Sequence, residues 1–216
     1  MDQDPRKLLL VEGRDDLHVV AHLCQRHRLP NEAFTIHSSE GLDRLIESLP
    51  TRLKGGPQSH LGVVMDADED IQARWASVRA IVLRAGYADV PEAPDPRGTV
   101  LLPTDEFQPR IGFWLMPDNR LPGMLEHFVQ FLVPEGDRLR EYARQVIDAM
   151  PAEERRFREV HRAKAEIHTW LAWQKQPGLP LGLAIKTRYL DAGCAEATRF
   201  VDWLGRLYEL PNAPPL

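Results

Sequence analysis

Lys7-Leu8-Leu9-Leu10-Val11-Glu12-Gly13 and, about fifty residues later, His60-Leu61-Gly62-Val63-Val64-Met65-Asp66-Ala67-Asp68 decide the fold. Each is a short apolar run that stops at carboxylate. Strands buried on both faces of a parallel sheet read as continuous apolar runs rather than alternating ones. In open α/β sheets, ligands bind beyond the carboxyl ends of the strands. Two such strands side by side would gather Glu12, Asp66 and Asp68 at one sheet edge. Three carboxylates so placed repel one another unless a cation sits among them, and an all-oxygen donor set suits Mg²⁺ or Mn²⁺. The first expectation is therefore a divalent-metal site that handles phosphate.

Outward from these runs, strand and helix patterns alternate. After the strand over 7–12, Asp15 or Asp16 is placed to cap a helix reaching about residue 28, with Leu17, Val20, Ala21 and Cys24 on one face. A short strand is expected over 33–37 and a helix over about 42–52, closed by Gly55-Gly56-Pro57. The second acidic-tipped strand, 61–65, leads into a helix over about 70–85, with Glu69 or Asp70 as its cap and Gly86 at its end. Residues 90–98 read as loop, 99–102 and 110–116 as strands, and 122–133 as a helix with Pro near its first turn. Further helices are expected over 135–149, 152–174 and 195–209, with an ordered loop over 176–182 and a loose tail over 211–216. Interleaved strands and helices mean βαβ units and a mainly parallel, Rossmann-like sheet flanked by helices. The close spacing of the later strands admits an antiparallel edge. The division expected is an α/β core over 1–133 and a helical C-terminal part over 134–216 packed on it as one unit.

Composition narrows the class. An apolar content of 43% and a charged content of 27% are those of a globular domain large enough to bury its own core. No apolar run approaches 18 residues, so no membrane span is expected. The polar Met1-Asp2-Gln3-Asp4-Pro5 start does not read as a secretory signal. Cys24 and Cys194 are far apart and show no metal spacing, which fits a reducing cytoplasm. Residues 151–190 hold eight Lys and Arg against four acids, whereas residues 1–150 hold 17 against 24. An acidic part followed by a basic helical part is the pattern of a metal site beside a phosphate-facing surface, or else of a solvated helix face.

Individual residues each carry two readings. Asp66 and Asp68, two apart, would point to the same side if the strand continued through them, or they form a polar turn with a cap. Asp118 follows the apolar run Ile111-Gly112-Phe113-Trp114-Leu115-Met116 and so lies at a strand end, or it only makes a turn with Asn119. Glu126 lies in the first turns of a helix, as a ligand or as a dipole-complementing acid. Lys164 lies among Arg155, Arg156, Arg158, His161 and Arg162, as a catalytic cation or a solvated one. Trp170 and Trp173 read as core more readily than as a base-stacking platform. His22, His27, His37 and His60 have no ligand spacing, and no phosphate-binding Gly-rich loop or nucleophilic Ser motif is present.

Val11-Glu12-Gly13-Arg14-Asp15-Asp16 followed by Met65-Asp66-Ala67-Asp68 resembles the Toprim domain, over roughly residues 6–130. That domain is shared by type IA and type II topoisomerases, bacterial primases, small maturases of ribosomal RNA and overcoming-lysogenization-defect (OLD) nucleases. The chain is most similar to small stand-alone Toprim-like proteins related to the OLD nucleases. Residues 112–119 resemble that group's strand after Asp-x-Asp. Pro122-Gly123-Met124-Leu125-Glu126-His127-Phe128 resembles its Leu-Glu segment, and residues 164–174 resemble a late helix that brings a Lys to the site.

The resemblance implies a first Mg²⁺ or Mn²⁺ on Glu12, Asp66 and Asp68, and a second ion on Asp118 and Glu126. It implies Glu12 as ligand or general base, and Lys164 neutralising charge on the phosphate. Arg155, Arg156, Arg158 and Arg162 would face nucleic acid. Tyr87, Tyr142, Tyr189 and Tyr208 lie in no topoisomerase motif, and no zinc module of the primase type is visible. The leading expectation is phosphodiester hydrolysis on DNA or RNA by a cytoplasmic nuclease, as monomer or homodimer. The alternative is a non-catalytic or partner-dependent module working with an ATPase in trans, since the chain has no P-loop of its own.

Overall fold

A computed structural model describes residues 6–210. The polar start at 1–5 and the tail at 211–216, expected to be loose, lie outside the described residues. The acidic-tipped runs form β1 (Lys7–Val11) and β3 (His60–Asp66), which pair in parallel with Leu9 beside Gly62 and Val11 beside Val64. β2 (Thr35–Ser38) pairs with the other edge of β1, and β5 (Arg110–Met116) with the other edge of β3, both in parallel. β4 (Thr99–Leu101) joins β5 antiparallel, giving the order β2-β1-β3-β5-β4. The fold is thus α/β with a five-stranded, mostly parallel sheet, and the antiparallel edge falls at β4.

Side-chain alternation along these strands divides the core in two. Leu10, Val63, Met65, Phe113 and Leu115 face α2 (Leu42–Leu53) and α3 (Ile71–Arg84). Leu9, Val11, Val64, Trp114 and Met116 face a larger layer. It is made of α1 (Arg14–Arg26), α4 (Leu125–Phe131), α6 (Arg162–Ala172), α7 (Leu181–Lys186) and α8 (Ala195–Tyr208), with α5 (Arg138–Ala149) packed outside α6. The C-terminal helices therefore complete the core that the first strand begins. Among the described residues, no helix is long and apolar enough to cross a membrane.

α8 lies close on the sheet because β3 and β5 carry glycine beneath it. The Tyr208 hydroxyl donates to the Leu8 carbonyl (2.8 Å), and Lys7 Nζ donates to the Tyr208 carbonyl (2.9 Å). A Cβ on Gly62 would stand 2.5 Å from both Leu9 Cδ1 and Tyr208 Oη. Gly62→Ala should therefore destabilise the protein by about 1–3 kcal/mol, the usual cost of overpacking a filled core. Urea unfolding at constant slope measures this, and an unchanged midpoint would show that α8 can lift without cost.

Two expected elements differ by more than a few end residues. The helix over 152–174 starts only at Arg162. Ahead of it stand two single 3-10 turns, Ala152–Glu154 and Glu159–His161, with extended backbone at Arg155 and Arg158. Arg155, Arg156 and Arg158 would crowd like charge on one helical turn. In the extended form Arg155 instead reaches Glu159 (3.1 Å) and lies over the Phe157 ring. The expected loop over 176–182 gives way at Leu181 to α7. Gly182 disfavours a helix by itself, but a Cβ there would stand 2.8 Å from the His18 backbone. Its bareness lets α7 press against α1.

Candidate functional site

β1 bonds β2 on one side and β3 on the other, so successive connections leave β1 in opposite directions. A crevice opens at such a reversal, beyond the strand ends. Glu12 is the first residue past β1 and Asp66 the last of β3, which puts both at its mouth. The Asp66 amide donates to Glu12 Oε2 (3.4 Å), and Asp66 Oδ1 accepts from the Leu125 amide at the start of α4 (3.0 Å). α4 begins at Leu125, later than expected, because the Asp68 amide donates to the Gly123 carbonyl (2.9 Å) and holds 123 in a bridge, at a φ of +144° that no helix adopts.

Asp16 adds a carboxylate that the strand pattern did not reveal. Its Oδ2 accepts from the Gly13 amide (3.1 Å) and so fixes the first turn of α1. The residue is only 7% exposed, and its Oδ1 is buried without a hydrogen-bond partner. A buried carboxylate oxygen left bare is costly unless a proton or cation meets it. The sequence held a signal for it: Asp16 shares the buried stripe of α1 with Val19, Val20 and Leu23, an acid where the period calls for an apolar side chain. Glu126, 5% exposed, lies near the same point and meets Lys164 Nζ at 3.1 Å.

The charges act on one another. Burial, then Asp16, Glu12 and Glu126, push the Asp66 carboxyl up to about 9. Burial and the charges of Glu12 and Glu126 raise Asp16 to about 7, against the pull of the Gly13 amide. Burial raises Glu12, opposed by the Asp66 amide, with Asp68 adding to the rise. The hydrogen bond to Glu126 and its charge raise Lys164, whose ammonium serves as counter-charge. Glu12, Asp16, Asp66 and Glu126 thus form one acidic cluster with a lysine at its rim. Among the described residues, no group of three or more Asp, Glu, His or Cys side chains is placed to hold a metal ion.

Three expectations change. Asp68 does not point alongside Asp66: β3 ends at Asp66, Asp68 takes a left-handed φ of 54°, and its carboxylate pairs with Arg74. Asp118 is buried, but its Oδ1 accepts from the Arg120 (3.1 Å) and Leu121 (2.9 Å) amides. Its Oδ2 lies 3.4 Å from Arg120 Nε, and it is not among the principal charges acting on Asp16 or Asp66. The turn uses Asp118, and Asp16 stands in the cluster instead. Of the four arginines, Arg155 is held by Glu159, and Arg162 by Asp148, Glu159 and Glu166. Arg156 is exposed, and Arg158 lines a cleft beside Asp68. Trp170 is core as expected, whereas Trp173 is 40% exposed past the end of α6.

Residues 6–209 match a family model whose description is "Protein of unknown function (DUF3226)". Neither a curated protein nor a solved structure matches the chain.

Proposed function

We propose a function for this chain, which belongs to the DUF3226 family, from its carboxylate cluster: it is a Toprim-like nuclease that hydrolyses phosphodiester bonds with Mg²⁺ or Mn²⁺. The observation that carries this reading is the convergence of Glu12, Asp16, Asp66 and Glu126 at the sheet's switch point, one oxygen of Asp16 having no partner. The donors are all carboxylate oxygens, which fits a hard divalent cation. Glu12, Asp16 and Asp66 would hold it once their side chains draw together around it, and Asp68 and Glu126 would join on release from Arg74 and Lys164. When bound, the ion would polarise a phosphoryl oxygen and lower the pKa of a water.

The chain's own groups supply the rest. Where it does not ligate the ion, Glu12, half-buried and held at the Asp66 amide, accepts a proton from the attacking water. The water oxygen bonds to phosphorus as the ester oxygen leaves and takes up a proton from solvent. Lys164, half-exposed at the rim, turns from Glu126 to the non-bridging oxygens as charge builds there.

Incubation of the purified protein with plasmid, single-stranded DNA and RNA in Mn²⁺ or Mg²⁺ tests the reading. Cleavage that EDTA abolishes is expected, and intact nucleic acid under every condition defeats it. Lys164→Met should lower the rate about 10²–10³-fold if the ammonium meets the transition state. A change under about threefold would leave it as a partner of Glu126 only. Ion pairs at both Asp68 and Glu126 favour a second, partner-dependent form of the same site, in which an ATPase acting in trans opens these pairs. Cleavage that appears only when such a partner is added distinguishes it.

A further inference from the structure

A cleft of about 440 Å³ opens between the start of α3 and the segment that precedes α6, next to Asp68. That volume lies in the range of small-molecule clefts. Arg74 and Ser77 line it from α3, and Arg158 from the extended segment across it. Two guanidinium groups from different elements and a hydroxyl lining one cleft suit the oxygens of a phosphate.

We propose that this cleft is a phosphate subsite for a nucleic-acid strand, kept shut by the Asp68–Arg74 ion pair. The proposal rests on the nuclease reading and names where the strand next to the cut bond lies. Arg74 is the enclosed partner, its side chain 19% exposed against 47% for Asp68. It bonds the Asp68 carboxylate through one terminal nitrogen, while its Nε is buried without a partner. The cation is thus enclosed in the wall of the cleft, and the more exposed half of the pair is the acid. Asp68 keeps its left-handed backbone through the bond to Gly123, two residues from Asp66, which caps α4. Its charge already acts on Glu12.

A cation held at Glu12 and Asp66 would compete with Arg74 for Asp68. Release of Arg74 would give the phosphate its site. Cation and strand then bind with positive coupling, and the coupling is reciprocal. The other acids of the cleft fit this division. Asp70 is committed to the Gln72 (2.9 Å) and Ala73 (3.0 Å) amides. Glu69 is exposed at the cleft, a charge that opposes a strand.

The test is fluorescence anisotropy with a short labelled single-stranded oligonucleotide, in DNA and RNA forms, in EDTA and in Mg²⁺. Asp68→Asn should tighten binding about tenfold in EDTA, because the latch opens without metal. Glu69→Gln should tighten it severalfold. Arg74→Ala and Arg158→Ala should each weaken binding about tenfold and lower the slope of log K against log salt by about 0.7, one phosphate contact on a single strand. Arg97→Ala, which removes an exposed arginine on the loop before β4, should change neither. Should Arg74→Ala melt early, Arg158→Ala carries the test. Unchanged affinity in Asp68→Asn, or in Arg158→Ala, overturns the proposal. Weakened binding in the arginine variants with no cleavage in Mn²⁺ leaves the subsite standing and removes the nuclease reading. Metal-dependent cleavage with unaltered binding in those variants does the reverse.

Discussion

Asp66→Asn should lower the rate of metal-dependent cleavage by more than about 100-fold, beyond the 10–100-fold that residues merely supporting a metal ligand cost. The argument starts from shape. Asn keeps the side-chain oxygen that accepts from the Leu125 amide, so α4 keeps its start and the fold survives. It lacks the negative charge that Glu12, Asp16 and Glu126 jointly oppose and that a cation would offset. Asp118→Asn is the internal control. Its carboxylate serves two amides of a turn, so a loss of stability with less than about a tenfold loss of rate is expected. Initial rates on single-stranded DNA at saturating Mn²⁺ separate the two variants. An Asp66→Asn rate within about tenfold of the unaltered protein would remove Asp66 from the reaction.

The same substitution should stabilise the metal-free protein at alkaline pH. The Asp66 carboxyl is raised from 3.8 to about 9 and Asp16 from 3.8 to about 7. A group that binds its proton more tightly when folded contributes stability below its unfolded pKa and loses it as pH rises toward the folded one. In EDTA the cluster's contribution therefore falls from about pH 4 to about pH 9. Asn titrates nowhere in that window. At pH 8, Asp66→Asn should be on the order of 2–4 kcal/mol more stable than the unaltered chain, after the full shift is discounted for partial solvation. At pH 4 the difference should nearly vanish. Saturating Mg²⁺ should reverse the order at pH 8, because a metal binds the deprotonated set and stabilises the folded state that holds it. Urea midpoints at pH 4, 6 and 8, with EDTA and with Mg²⁺, measure all of this. Parallel pH curves for the two chains would show that Asp66 carries no such strain.

The sheet was legible because its strands are buried on both faces. Leu8-Leu9-Leu10-Val11 on β1 and Ile111-Gly112-Phe113-Trp114-Leu115-Met116 on β5 allow few other readings once Gly and Pro mark their ends. The cap at Asp70 was legible from its local pattern, whereas the expected cap at Asp15 or Asp16 falls on Gly13, with Asp16 inside the first turn of α1. What escaped depends on contacts distant in sequence. α7 is helical because Gly182 fits against His18, which no window around residue 182 contains. Asp68 departs from the two-residue period because Gly123, far along the chain, bonds its amide. Of the site, Glu12 and Asp66 followed from strand ends, whereas Asp16 needed the knowledge that one face of α1 looks into the crevice.

The clasp of α8 on β1 has a consequence for how the chain is made. Lys7 and Leu8 bond Tyr208 across 201 and 200 positions of sequence. Synthesis delivers β1 long before α8, one of the helices that cover it. Until residue 208 has been joined, Leu9 and Val11 lack part of their packing, and contacts of such long separation are slow to close. The nascent chain must therefore hold a partly covered sheet face, with α1 in place, until α8 has been added. The acidic crevice, which β1 helps to form, reaches its final shape only after the last helix has docked.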